Sequence, residues 1–280
     1  MTHLPKQVCI LIPFHHRQDL LLPLLKHLKQ FSVCVVDDGE QSSDWSFWKE
    51  IHPTLECVRA GGSSGFTRAV NTGLKHLDTL GYANVLLLND DAWVSIDGLK
   101  QLFQLAGKNR FLSPVIQTPT AKYYGASVSS WGGIRLNTSS NQTVDALLGA
   151  CLLMPSRFRL DERFYHGFED FHLTYTAKQS GMELIVLAEV ICTHLDGGTL
   201  QSHSPEGLRY SVYGHLCFYD SLRRLPLIYS LYLLQLFRSE HREKVTTKHF
   251  WKVHQGVGAW LWRAIAARIA SSKLGSSKIK

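Results

Sequence analysis

Short uninterrupted apolar runs, separated by stretches with helical spacing, dominate the first two-thirds of the chain. Val8-Cys9-Ile10-Leu11-Ile12, closed by Pro13, reads as a strand buried on both faces, since a half-exposed strand would alternate apolar with polar residues. Leu20 to Phe31 is apolar at helical spacing, and Val33-Cys34-Val35-Val36 is a second buried strand running into Asp37-Asp38-Gly39. A short helix over Trp45–Ile51, a short strand over Glu56–Arg59, a glycine-serine turn over Gly61–Gly65 and a helix over Phe66–Leu80 come next. Val85-Leu86-Leu87-Leu88 is a third continuous apolar strand and ends at Asn89-Asp90-Asp91. Further on, the pattern predicts a helix over Ile96–Leu105, a hairpin or loop insertion over Tyr123–Leu136 and a strand over Ala146–Met154 stopped by Pro155. It also predicts a helix over Glu169–Gly181 and a strand over Leu184–Thr193 that leads to His194. Strands alternating with helices predict an α/β fold with a mostly parallel central sheet flanked by helices. After about residue 205 the texture turns aromatic, basic and helical, which divides the chain into a domain over 1–205 and a helical C-terminal region over 206–280.

Composition supports a folded protein: of 280 residues, 45% are hydrophobic and 19% charged, which excludes wholesale disorder and a disulfide-stapled mini-protein. The six cysteines include no C-x-x-C pair and fall mostly in apolar runs, the pattern of buried free thiols in a reducing compartment. Met1-Thr2-His3-Leu4-Pro5 shows no secretory pattern before the first strand, so a cytoplasmic location is expected. The apolar run Leu225–Phe237 has 13 residues and contains Pro226, Ser230 and Gln235, short of the roughly 20 needed to span a bilayer.

The net charge of +7 is unevenly spread. From Arg223 to Lys280 twelve Lys/Arg face only Glu240 and Glu243, a balance of +10, which leaves −3 for the first 222 residues. A basic tail on an acidic body argues against a nucleic-acid-binding core and for an acidic surface as the tail's partner. Phe250 to Ile269 places Phe250, Val253, Val257, Leu261 and Ile265 near one helical face, with Trp251, Trp260, Trp262, Lys252, Arg263 and Arg268 around them. That mixture suits a helix lying on an anionic membrane at the cytoplasmic face, or one packed on the preceding domain with its lysines solvated.

Two acidic groups, Asp37-Asp38 and Asn89-Asp90-Asp91, come directly after apolar strands. In a parallel sheet, ligands bind outside the carboxyl ends of the strands, which is where both groups fall. Crowded carboxylates cost solvation energy that a divalent cation or sugar hydroxyls would offset. Turn and capping chemistry explains either group alone, whereas both on one rim point to a site. Gly61-Gly62-Ser63-Ser64-Gly65 before a helix is a weak phosphate-cradle signal of its own.

Farther along stand Leu147-Leu148-Gly149-Ala150-Cys151-Leu152-Leu153-Met154-Pro155 and Leu160-Asp161-Glu162-Arg163-Phe164-Tyr165-His166-Gly167-Phe168-Glu169-Asp170-Phe171-His172-Leu173. With these the chain resembles the family 2 glycosyltransferases of GT-A fold, in particular the rhamnosyltransferase-like branch. The pattern there is G-A before an apolar run, F-D-E-x-F-F, then E-D-x-D-L. Ile12-Pro13-Phe14-His15-His16-Arg17, Val36-Asp37-Asp38-Gly39, Gly65-Phe66 with Ala69-Val70-Asn71-Thr72-Gly73, Leu88-Asn89-Asp90-Asp91 and His194 fall in family order. The resemblance covers about residues 8–200 and rests on the ordered set rather than on any one motif.

The resemblance implies a GT-A fold and an inverting transfer of sugar from a nucleotide-diphosphate donor to a hydroxyl of a glycan or lipid-linked acceptor, with Mn2+ or Mg2+ as cofactor. It implies Asp170 as catalytic base with Glu169 beside it, and Pro13, Asp37, Asp38, Gly65, Asn71, Asn89 and Asp90 around the donor. Asp91 and His194 would hold the cation. Asn89 stands in place of the first acid of the stricter D-x-D motif, and His172 in place of the second Asp of E-D-x-D-L. The alternative is a catalytically silent GT-A module that binds sugars or scaffolds a glycan assembly.

Overall fold

The first strand, β1 (Lys6–Phe14), sorts its side chains in two directions. Cys9 and Leu11 enter one core cluster and Ile10, Ile12 and Phe14 another, none more than 2% exposed. The same division runs through the later strands, because side chains alternate across a strand. The computed structural model describes residues 6–41, 43–130, 132–195, 205–221, 255–260 and 262–263. In chain order follow α1 (Gln18–His27), β2 (Val33–Asp37), α2 (Trp45–Ile51), β3 (Glu56–Arg59), α3 (Phe66–Thr79), β4 (Tyr82–Leu88), β5 (Ala92–Val94), α4 (Ile96–Gln104) and β6 (Arg110–Gln117). Then come β7 (Lys122–Tyr123), β8 (Ala126–Val128), β9 (Ile134–Leu136), β10 (Cys151–Pro155), α5 (Glu169–Gln179), β11 (Glu183–His194) and α6 (Pro205–Ser221).

The main sheet runs β3-β2-β1-β4-β10-β6-β11-β5, with β7 beside β6. From β3 to β4 it is parallel, as the unbroken apolar runs imply. Beyond β4 it is mixed: β10 lies antiparallel to β4 and to β6, β11 is parallel to β6, and β5 is antiparallel to β11. On one face pack Leu21, Leu24 and Leu25 of α1, Trp48 of α2, and Leu99 and Leu102 of α4. The other face takes Ala69, Val70, Leu74 and Leu77 of α3 with Leu173 and Ala177 of α5. Each fully buried aliphatic side chain contributes about 1.5–3 kcal/mol, so strands covered on both sides dominate the stability. Helix α3 lies close on the sheet at Gly73, where a Cβ would stand 2.4 Å from Leu11 Cδ1 and 2.5 Å from Val36 Cγ2.

Some elements depart from their expected bounds. Helix α1 ends earlier than Phe31: Leu28 N–H closes on Leu24 O at 3.0 Å and a separate turn comes after it. The expected strand over Ala146–Met154 begins only at Cys151, because Ala146 instead bridges Ala126 and residues 149–150 form a turn. The region Tyr123–Leu136 is a hairpin of β8 and β9 plus the edge strand β7. All six cysteines are free thiols, five of them buried.

The chain divides into two compact units, Met1–Tyr165 with Glu169–Gly198, and His166–Phe168 with Thr199–Lys280. In the second unit, α6 buries Val212, Leu216, Cys217 and Phe218, and His215 packs at a tilt against Phe168 with ring centroids 3.9 Å apart. Residues 255–260 are helical, and Arg263 donates to the Tyr213 hydroxyl at 3.1 Å. The run Leu225–Phe237 and most of the face proposed over 250–269 lie outside the described residues. Among the described residues no helix is long and apolar enough to cross a membrane.

Candidate functional site

Strand direction brings the acidic groups together. β1, β2 and β4 are parallel, so Pro13, Asp37 and Asn89-Asp90-Asp91 reach one edge of the sheet. β10 enters antiparallel to β4 with Cys151 opposite Leu88, which sets Gly149 and Ala150 at the same edge. β11 brings His194 there opposite Ala92. β5, which the apolar pattern did not announce, supplies that pairing.

The Asn89–Asp91 turn is closed by Asn89 N–H on Ala150 O at 3.0 Å and Ala92 N–H on Asn89 O at 3.1 Å. Asp91 Oδ1 lies 3.1 Å from His194 Nε2, and Asn89 Nδ2 lies 3.5 Å from the same nitrogen. Both partners of the first pair are largely enclosed, Asp91 at 8% and His194 at 19% side-chain exposure. Asn89 Oδ1 is buried with no hydrogen-bond partner among the described residues. Burial, reinforced by the Asp91 charge and opposed by Arg17, pushes the Asp90 carboxyl up to about 7. Arg17 caps α1 and forks onto Asp19 at 3.0 and 2.8 Å; Asp19 chiefly, then Asp90 and Asp91, raise its guanidinium.

These groups fit a divalent cation. Two ligands of an octahedral cation at about 2.1 Å stand about 3.0 Å apart, close to the Asp91–His194 separation. The orphaned Asn89 oxygen and the proton-hungry Asp90 mark a place short of positive charge. Among the described residues no group of three or more His, Cys, Asp or Glu is placed to hold a metal, so a cation here would take the rest of its shell from substrate oxygens and water.

Asp170 sits in the first turn of α5, beside the buried Glu169. Gly149 N–H donates to its Oδ2 at 2.6 Å and Phe171 N–H to its Oδ1 at 2.7 Å. Thr174, whose hydroxyl donates to the Asp170 carbonyl at 2.7 Å and accepts Leu147 N–H at 2.9 Å, ties the helix to the same turn. Burial pushes the Asp170 carboxyl up to about 6, although both N–H groups pull the other way. Gly149 is required here, since a Cβ would stand 2.8 Å from Asp170 Cβ. Consecutive residues therefore bridge the two halves of the site: Gly149 holds Asp170, and Ala150 holds Asn89. His172 is turned to packing, its ring 5.1 Å from that of Phe164, and burial lowers its pKa.

The second acidic pair has a different character. Asp37 is 0% exposed and accepts from Gly39 N–H at 3.1 Å, Ser43 N–H at 2.9 Å and Trp45 Nε1 at 3.1 Å, with Arg59 Nη1 at 3.0 Å. Burial would raise its pKa, but Ser43, Gly39, Trp45 and Arg59 together hold it below the usual carboxylate range. With its acceptor capacity spent inside the protein, Asp37 shapes the Gly39–Trp45 loop. Asp38 accepts from Ser64 and Gly65 across the neighbouring turn, and its carbonyl lies 3.0 Å from His15 Nδ1. A cavity of about 320 Å³ opens beside these loops, lined by Phe14, His15, His16, Glu40, Gln41 and Ser43. A larger cavity of about 550 Å³, lined by Val8, Ser32, Glu56 and Tyr82, lies at the amino ends of the strands and touches none of the site residues.

Asn71, expected around the donor, engages Leu160: Nδ2 donates to the Leu160 carbonyl and Oδ1 accepts its N–H, both at 2.9 Å. It staples α3 to the loop before α5, a contact across 89 residues that motif order does not reveal.

Residues 9–144 match the family model described as glycosyl transferase family 2. Among solved structures, GalNAc-T7 with UDP, GalNAc and Mn2+ is similar with a TM-score of 0.59 at 12% identity, over 79% of this chain and 48% of that one. The mannosyltransferase PcManGT of Pyrobaculum calidifontis with GDP-Man and Mn2+ gives 0.56 at 16% identity, over 100% of this chain and 82% of that one. A TarS fragment of S. aureus with UDP-GlcNAc gives 0.55 at 15% identity, over 91% and 80%. The chain thus spans about half the length of the first and most of the other two. No curated protein matches it in sequence. At such identities the likeness concerns the fold, which is the expected GT-A arrangement of mixed sheet and flanking helices.

Proposed function

We propose that this protein is an inverting glycosyltransferase of the family 2 type, hexosyl- or rhamnosyl-transferring, that moves a sugar from a nucleotide-diphosphate donor to a hydroxyl of a glycan or lipid-linked acceptor. The observation that carries this reading is the bridge at residues 149–150, which holds a carboxylate of raised basicity on one side and the Asn89–Asp91 turn on the other. Asp91 and His194 would hold the cation, which when bound neutralises charge on the departing diphosphate. Asp170 accepts the proton of the attacking hydroxyl, and Gly149 N–H with Phe171 N–H keep it aimed. A single base facing the leaving group implies direct displacement, hence inversion. Asp37 and Asp38 act through the loops they hold beside the 320 Å³ cavity.

Thermal-shift measurements with UDP-, GDP- and dTDP-sugars, with and without Mn2+, test donor use. Stabilisation by one nucleotide class that Mn2+ strengthens is expected; no shift with any of them would contradict the reading.

The basicity of Asp170 sets a pH dependence. The base must be ionised to act, so kcat/KM should rise with pH through about 6 and then level off. An ordinary aspartate would place that limb near 3.9. A profile flat down to about pH 4.5 would exclude Asp170 as the base.

The +10 balance of residues 223–280 supports attachment to an anionic membrane surface, at roughly 1 kcal/mol per basic residue close to the headgroups. The protein should co-sediment with anionic vesicles but not neutral ones, and salt should release it. Equal binding to both vesicle types, or binding to neither, would exclude the electrostatic attachment.

A further inference from the structure

The glycine-serine turn before α3 is held from two sides. From the sheet, Asp38 accepts Ser64 N–H at 2.8 Å, Ser64 Oγ at 2.7 Å and Gly65 N–H at 3.0 Å, while its carbonyl accepts Ser63 N–H at 2.7 Å. From the opposite side comes Tyr165, five residues ahead of Asp170 in the chain. Its hydroxyl donates to the Ser63 carbonyl at 3.3 Å. Its ring covers Gly65 so closely that a Cβ on that glycine would stand 2.6 Å from Cε2 and 2.7 Å from Cδ2. Gly65 also has a φ of +92°, so glycine satisfies two demands at once: the left-handed backbone and the close approach of the ring.

Exposure separates the two partners. Gly65 is buried, while Tyr165 is 41% exposed, so the ring shields the turn from a position at the surface. A tyrosine this open adds little core burial. What it does is order a turn whose N–H groups engage a carboxylate at the donor rim. Asp38 spends both oxygens on that turn, so any displacement of Ser64 and Gly65 also displaces Asp38.

We propose that Tyr165 is a donor-positioning residue: its ring and hydroxyl lock the Ser63–Gly65 turn onto Asp38, so the nucleotide-binding side of the site is ordered before the donor arrives. This rests on the transferase reading and goes beyond it, because it links the loop leading to the base with the loop beside the donor. Ordering the turn in advance removes an entropic cost from binding, so its loss should appear in donor affinity rather than in the chemical step.

The test measures binding of UDP and GDP by calorimetry with Mn2+ present, together with donor KM and kcat. The proteins compared are wild type, Tyr165→Ala, Tyr165→Phe, Gly65→Ala and the Tyr165→Ala/Gly65→Ala double variant. Tyr165→Ala should weaken nucleotide binding and raise donor KM about tenfold with a smaller change in kcat, as expected for lost ground-state positioning. Tyr165→Phe keeps the ring and should restore affinity to within about threefold. Gly65→Ala should repeat the Tyr165→Ala defect by displacing the ring, and the double variant should be no worse than the poorer single, since both break one contact. Wild-type affinity in Tyr165→Ala, no rescue by phenylalanine, or effects that multiply in the double variant would each overturn the proposal. A wild-type protein that bound neither nucleotide would overturn the transferase reading itself, a result distinct from all of these.

Discussion

Asp170→Asn should slow sugar transfer by roughly 10²–10⁴-fold, the range for loss of a general base, with nucleotide binding retained. Asparagine has the same shape but cannot take the proton from an acceptor hydroxyl. Its amide can satisfy only one of the two N–H donors, Gly149 or Phe171, that the carboxylate satisfies together at 2.6 and 2.7 Å. A modest loss of stability, about 1–3 kcal/mol, should therefore accompany the kinetic defect, and thermal unfolding run alongside the assay separates the two. Asp170→Glu offers no rescue, because the Gly149 backbone lies too close for a longer side chain to keep the same position. Transfer by Asp170→Asn at nearly the wild-type rate would remove Asp170 from the chemistry.

Asp91→Ala should abolish the gain in nucleotide affinity that Mn2+ gives the wild type. Asp91 provides the anionic half of the Asp91–His194 pair, and the neighbouring Asn89 brings no charge to replace it. Changes next to bound metals commonly cost about 10–100-fold, and loss of a direct ligand should cost at least that. Calorimetry with UDP and GDP, with and without Mn2+, measures the gain in each protein. An equal Mn2+ effect in wild type and Asp91→Ala would show that Asp91 does not hold the cation.

How far such a site can be read from residues alone differs from one group to the next. The acidic pairs were visible because β1, β2 and β4 are continuous apolar runs, and parallel strands deliver their carboxyl ends to one edge. His194 and Asp170 were visible only through the ordered motifs, since nothing in their spacing says that β11 and α5 return to that edge. The three-residue β5 left no periodic signal, although it pairs with the strand that brings His194 beside Asp91. Asp37 looked like both a turn former and a ligand group, and its four internal donors show how fully the turn engages it. The bond of Asn71 to Leu160 was hidden because motif order does not say which way an amide faces, and the two lie 89 residues apart. The clamp of Gly149 on Asp170 and the cover of Tyr165 on Gly65 are contacts across 21 and 100 residues. A glycine signals that room is needed, but only the fold shows what fills it.

The central claim is that the Asn89–Asp91 turn with His194 and the Asp170 carboxylate form one transfer site. The most direct measurement is release of nucleoside diphosphate from UDP-, GDP- and dTDP-sugars, with and without Mn2+, by wild type, Asp170→Asn and Asp91→Ala. Mn2+-stimulated release from one donor class by the wild type, and loss of that release in both variants, are the expected results. Release that ignores Mn2+ and survives both substitutions would contradict the claim.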